Sequence, residues 1–272
     1  MWRLLVFGPG YTGSRIAAAA HELGWTVDRV GRATIDAADV ERLIAASDYI
    51  LSSVPPQDGA DPVLRRYEAC LASSQAWLGY LSSTGVYGDT GGAWVDETAA
   101  VGSGRRDARS FADQAWLELG ARVFRLPGIY GPGRSPLDRI ATGSGYRVHK
   151  PGQRFSRIHV DDIVSAVLAG FDAEPGAYNI ADDLPAAQDE VTAYAAGLLG
   201  AALPPLVPLE SLTPTARGFY SENRCVANGK AKRVLGWRPA YPTYREGLRA
   251  LSATTSPAIA SRLPTAAVSD QR

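Results

Sequence analysis

The chain has 272 residues, with 28 Lys+Arg balanced by 28 Asp+Glu, so no global field draws it to nucleic acid or to an anionic membrane. Its two cysteines, Cys70 and Cys225, are too few and too far apart for a disulfide framework or a zinc site, and no metal is expected. No apolar run approaches the roughly 20 residues that a helix crossing a bilayer needs.

The amino-terminal apolar run stops at Gly8, short of a signal peptide, so a reduced cytoplasm is the expected compartment. The length suits one two-lobed unit, as a monomer or a homodimer. Through the first half, short apolar runs at 4–7, 26–30, 49–53, 77–82 and 121–126 alternate with helical patterns after Gly13 and at 40–46, 62–72 and 106–119. That alternation predicts an α/β fold: a Rossmann-like doubly wound parallel sheet with a small C-terminal substrate lobe. Asp61-Pro62 reads as a helix start, an oxygen-bearing cap followed by proline in the first turn.

From Pro127 onward glycine and proline become frequent and the alternation fades. The expected division is 1–130 for the sheet domain with a return segment at 156–171, then 131–155 and 172–251 for the substrate lobe, and 252–272 as a flexible tail. Within the lobe, 188–199 and 228–235 read as helices closed by Gly200 and Gly236.

The first strand runs directly into the stretch GPGYTG at 8–13, which has the spacing G-x-G-x-x-G and is followed by a helix-favouring run. Gly8 permits a tight turn, Gly10 lets the backbone approach a diphosphate, and Gly13 lets helix and strand pack closely. With Tyr11 and Thr12 between them, these are the expected cofactor-binding residues, because free amides at a helix start hold anions. At the tip of the second strand an acidic residue would grip the ribose of NAD, yet the chain has RVGR at 29–32. Arginine makes forked contacts to phosphate, so NADP is expected over NAD, with Arg32 the first contact and Arg29 the second.

Several further segments, SSTGVYG at 82–88, RLPGIYGPGR at 125–134, IHVDDI at 158–163, YNIA at 178–181 and LGWRP at 235–239, join the glycine turn in a fixed order. In these the chain resembles the extended and atypical short-chain dehydrogenase/reductases, the NAD(P)-dependent epimerase/dehydratase-like group. Phe7 stands where the extended members have the first glycine of a longer motif, which places the chain with the atypical subgroup.

The resemblance implies NADP-dependent redox chemistry, or epimerisation or dehydration, on a small hydroxyl- or carbonyl-bearing substrate. Ser83 maps to the family's oxygen-binding serine or threonine, and Thr84 substitutes if the register slips by one. The family's tyrosine and lysine, four residues apart, align with Arg105 and Arg109. Arginine stays protonated at ordinary pH and is no general base, but it can stabilise an oxyanion, bind a substrate anion or hold the nicotinamide ribose. Tyr87 is therefore the first candidate for proton transfer and Tyr11 the second. The competing expectation is a non-catalytic NADP-binding sensor or scaffold.

His159 and Asp162 read as a strand end running into a helix cap rather than as metal ligands. Arg134, Arg154 and Arg157 read either as holders of an anionic substrate or as solvated charge.

Overall fold

The computed structural model describes residues 1–102 and 107–259. Its first half runs β1 (Arg3–Phe7), α1 (Tyr11–Glu22), β2 (Thr26–Val30), α2 (Val40–Ala46), β3 (Tyr49–Ser52), α3 (Leu64–Ser73) and β4 (Trp77–Ser83). There follow β5 (Trp94–Val95), α4 (Asp107–Glu118), β6 (Arg122–Leu126), β7 (Gly128–Tyr130), α5 (Pro136–Ala141), β8 (Arg157–His159) and α6 (Val160–Ala169). The chain continues through β9 (Gly176–Asn179), α7 (Gln188–Leu198), α8 (Pro214–Gly218), β10 (Cys225–Val226), α9 (Gly229–Val234) and α10 (Tyr244–Ile259).

Six strands form one parallel sheet in the order β2-β1-β3-β4-β6-β9. Side chains alternate along each strand, so both faces of the sheet are apolar and both are covered. Leu4 and Val6 of β1 face Ile16 and Ala17 of α1 and Ile163, Ala166 and Val167 of α6. Leu5 and Phe7 face the other way, onto the cluster holding Ile44 of α2, Leu64, Tyr67 and Leu71 of α3 and Trp116 of α4. The result is a three-layer doubly wound sheet, with the strand order reversing between β1 and β3. Ligands of such sheets bind beyond the carboxyl ends of the strands at that reversal.

Two departures from the sequence reading concern the second half. The segment 172–251 was assigned to the substrate lobe, but β9 within it is the sixth strand of the central sheet, and Ala231 and Trp237 belong to the α1/α6 core. β9 is four residues of Gly-Ala-Tyr-Asn, too short to show alternation. A separate cluster of Tyr130, Leu137, Ala186, Val191, Ala195, Tyr244, Leu248 and Leu251 forms the core beside the sheet's carboxyl edge. The second departure is α10, which runs to Ile259, so the helix extends beyond position 252, where a tail was expected to start. Among the described residues no helix is long and apolar enough to cross a membrane.

Candidate active site

At the reversal of strand order, Gly8 adopts a φ of +76°, and its N–H donates to Val30 O at 2.8 Å, tying the turn to the tip of β2. A Cβ at Gly13 would lie 2.6 Å from Gly8 O, so only glycine lets α1 start this close to β1. Gly10 precedes α1 with open space in front of it, no atom lying within 4 Å of an added Cβ. The first N–H groups of α1, from Tyr11 to Gly13, have no partner within the helix. A glycine cradle with an open mouth and free amides fits the diphosphate of a dinucleotide.

From this turn a cavity of about 860 Å³ opens along the carboxyl ends of the strands to the second lobe. Its floor near the sheet is made by Gly10, Tyr11, Thr12, Ser82, Ser83, Thr84 and Arg109. The structure thus brings Gly10, Tyr11, Thr12, Ser83, Thr84 and Arg109, six of the residues singled out from sequence, to one cavity. Arg29 and Arg32 are exposed at and just past the end of β2, outside the cavity lining. Gly31 between them lies against Pro9 of the glycine turn. Arg105 falls outside the described residues.

Ser83 caps the 3-10 helical turn Thr84–Tyr87, its Oγ accepting from Gly85 N–H at 3.1 Å. A hydroxyl accepts through a lone pair and keeps its proton, so capping leaves Ser83 able to donate to a ligand oxygen in the cavity. Arg109 is half-buried, and its Nη1 donates to Tyr80 Oη at 2.7 Å and lies 3.4 Å from Leu81 O. The Tyr80 ring is stacked on Trp116 at 5.4 Å, and Trp116 Nε1 donates to Asp61 Oδ2 at 3.0 Å. Asp61 also accepts from the Val63 and Leu64 N–H groups at 2.8 and 3.1 Å, so it caps α3 as its sequence context suggested.

Tyr87 lies apart from the cavity. Its ring is 2% exposed and lies outside the cavity lining, because the 3-10 turn carries it behind the strand ends. Its hydroxyl donates to Asn179 Oδ1 at 2.8 Å and accepts from Arg125 Nη1 at 2.9 Å. Burial pushes its pKa up, against the pull of Arg125. Tyr11 does line the cavity, donating to Pro132 O at 3.1 Å between the guanidinium groups of Arg15 and Arg134, 4.0 and 5.5 Å from its ring centre.

The arrangement missed from sequence is a buried polar network directly beneath Ser83. Arg125 of β6 clasps Asp113 of α4 with Nη2 to Oδ1 at 2.7 Å and Nε to Oδ2 at 3.1 Å, and Ser82 Oγ donates to Asp113 Oδ2 at 2.6 Å. A charged residue within the apolar run of β6 was the available signal, since a buried cation needs a partner. His159 caps α6, its Nδ1 accepting from Asp161 N–H at 3.2 Å, while Asp162 accepts from Ala240 and Tyr241 N–H. Among the described residues no cluster of His, Cys, Asp or Glu could hold a metal.

A protein of Silicibacter pomeroyi described as functionally unknown and conserved is 40% identical over 93% of this chain and 99% of its own, with a TM-score of 0.83. The chain belongs to the family of that conserved protein. Its fold is that of the NAD(P)-dependent epimerase/dehydratase and short-chain dehydrogenase/reductase proteins. Among these, dTDP-glucose 4,6-dehydratase from Bacillus anthracis in complex with NAD is 17% identical over 94% of this chain and 97% of its own, with a TM-score of 0.75. A human epimerase family protein with NADPH is 15% identical over 92% and 99%, with a TM-score of 0.71. A curated Streptomyces protein, 3-diazoavenalumate denitrifying reductase, is 31% identical over 143 residues, 48% of this chain. The match spans 47% of that relative's length. No family model matches the chain.

Proposed function

We propose that this protein is an NADP-dependent oxidoreductase acting on a small hydroxyl- or carbonyl-bearing molecule. The observation that carries the reading is the open cavity joining the glycine turn to Ser83 and Arg109; a sensor that had lost its chemistry would not need to keep this space free. The diphosphate would rest on the amides of Tyr11, Thr12 and Gly13, and Arg32 and Arg29 would meet the adenosine 2′-phosphate. The bound nicotinamide supplies or accepts the hydride.

Ser83 donates a hydrogen bond to the substrate oxygen. Arg109, oriented by the Tyr80 hydroxyl, places a fixed positive charge beside it. The 31% identical reductase, together with arginine at the family's lysine position, supports a second reading: reductive loss of nitrogen from a diazo compound, which leaves no alkoxide to protonate. Incubating the protein with NADPH and either ketones and aldehydes or an aryl diazonium salt, while following absorbance at the nicotinamide band, separates the two.

Ser83→Ala is expected to lower kcat on a carbonyl substrate about a hundredfold or more, the loss of one preorganised donor, while leaving NADPH affinity unchanged. Wild-type turnover surviving this change would remove Ser83 from the mechanism. Arg32→Ala is expected to weaken NADPH binding about tenfold to a hundredfold and leave NADH binding unaltered, as loss of a charge-assisted phosphate contact predicts. Equal weakening of both coenzymes in calorimetry would refute the assignment.

A further inference from the structure

The lobe side of the cavity is built from aromatic rings and arginines. Phe155 and Tyr220 meet edge to face with centroids 5.2 Å apart. Of the arginines there, Arg224 is paired with Glu222 at 2.9 Å and Arg154 faces Glu190 at 3.8 Å. Arg157 differs. Its Nη1 donates to Phe155 O at 2.7 Å and Ala186 O at 2.9 Å, which orients the guanidinium but supplies no opposite charge. Among the described residues its Nε and Nη2 make no hydrogen bond.

The carboxylate in electrostatic reach is that of Asp182, whose backbone N–H donates to Arg157 O at 2.7 Å but whose side chain makes no hydrogen bond to the guanidinium. Asp182 is 1% exposed and accepts from Leu184 N–H at 3.2 Å, and its Oδ2 is buried without a partner. Burial pushes the Asp182 carboxyl up to about 8 despite Arg157, so at neutral pH it is mostly uncharged. Arg157 is thus a half-buried cation at a cavity wall whose guanidinium makes no ion pair among the described residues, with Tyr130, Tyr220 and Tyr244 around it.

A guanidinium edge with two free donors matches a carboxylate in shape and charge. The Phe155 and Tyr220 rings offer flat apolar faces to a planar ring, and the one carboxylate among the described lining residues, Glu222, is committed to Arg224 and leaves the Arg157 edge to an incoming anion. We propose that the substrate is a planar aromatic molecule bearing a carboxylate, its carboxylate on the Nε–Nη2 edge of Arg157 and its ring against Phe155 and Tyr220. This rests on the cavity being the substrate site proposed above. It goes beyond that reading in naming what the site selects.

The test is calorimetric titration of the full chain, with and without saturating NADP⁺, using cinnamate, methyl cinnamate, cyclohexanecarboxylate and UDP-glucose. Cinnamate is expected to bind at least about tenfold tighter than the other three, the advantage of a charge-assisted pair combined with a flat ring. Arg157→Gln is expected to lose about tenfold to a hundredfold in cinnamate affinity and nothing in methyl cinnamate affinity, and Arg157→Lys to fall between.

No cinnamate binding by wild type, an ester or a saturated acid binding as tightly, or preference for UDP-glucose overturns the proposal. So does an Arg157→Gln variant that binds cinnamate normally. The acid-to-ester ratio in wild type decides the matter even if the variants fail to fold. Failure to bind NADP⁺ while the acid still binds would instead remove the coenzyme reading alone.

Discussion

Asp113→Ala is expected to cost about 3–5 kcal/mol in urea unfolding. The side chains of Asp113 and Arg125 are 1% and 3% exposed, so truncating the carboxylate strands a guanidinium that water cannot reach. Ser82 loses its acceptor in the same change. The cost reflects the orphaned charge more than the net strength of the pair, so Asp113→Leu combined with Arg125→Met should recover most of it. A single-variant loss below about 1 kcal/mol would mean that the pair is solvated or replaceable. Because Ser82 sits on the cavity floor beside Ser83, turnover should fall in the single variant even at temperatures where it remains folded.

The second expectation separates two glycines of one turn. Gly13→Ala places a methyl 2.6 Å from Gly8 O, so β1 and α1 must part; a loss of about 1–3 kcal/mol in stability is expected, with NADPH affinity falling more than tenfold. Gly10→Ala meets open space and an extended φ of −83°, so the melting temperature should hold while NADPH affinity falls, the methyl standing where the diphosphate would lie. If Gly10→Ala bound NADPH as wild type does, the anion would not sit at this turn. Thermal melts beside calorimetric titrations read both quantities.

The parts of the fold written most plainly in the sequence are those whose backbones are buried on both faces. β1, β2, β3, β4 and β6 each begin and end within one residue of the apolar runs; for the inner strands β1, β3 and β4 this is because a parallel strand covered by two helical layers has no polar side to blur its pattern, whereas the edge strand β2 carries Asp28 and the exposed Arg29. β9 was hidden by its brevity. α10 was partly hidden by the serine and threonine of its second half, although Tyr244, Leu248 and Leu251 keep helical spacing on the face that enters the second core.

In the site, the glycine turn was legible because its residues act through backbone geometry that only glycine permits. Tyr87 was misplaced because the direction in which a 3-10 turn throws a side chain depends on the neighbouring strands, which no local pattern records. The clasp of Arg125 by Asp113 joins residues 12 apart through packing of α4 on β6, and neither motif contained both.

The return of Trp237 to the α1/α6 core, with its Nε1 on Ser165 Oγ at 3.0 Å, has a consequence for how the polypeptide comes to be folded. Ala240 and Tyr241 add backbone donors to Asp162 from the same late stretch. The side of the sheet begun by β1 is closed only when the chain has been made through Trp237. Until then the nascent amino-terminal strands stand with one apolar face incomplete, and the ordering of that layer is a late, long-range event rather than a domain-by-domain one.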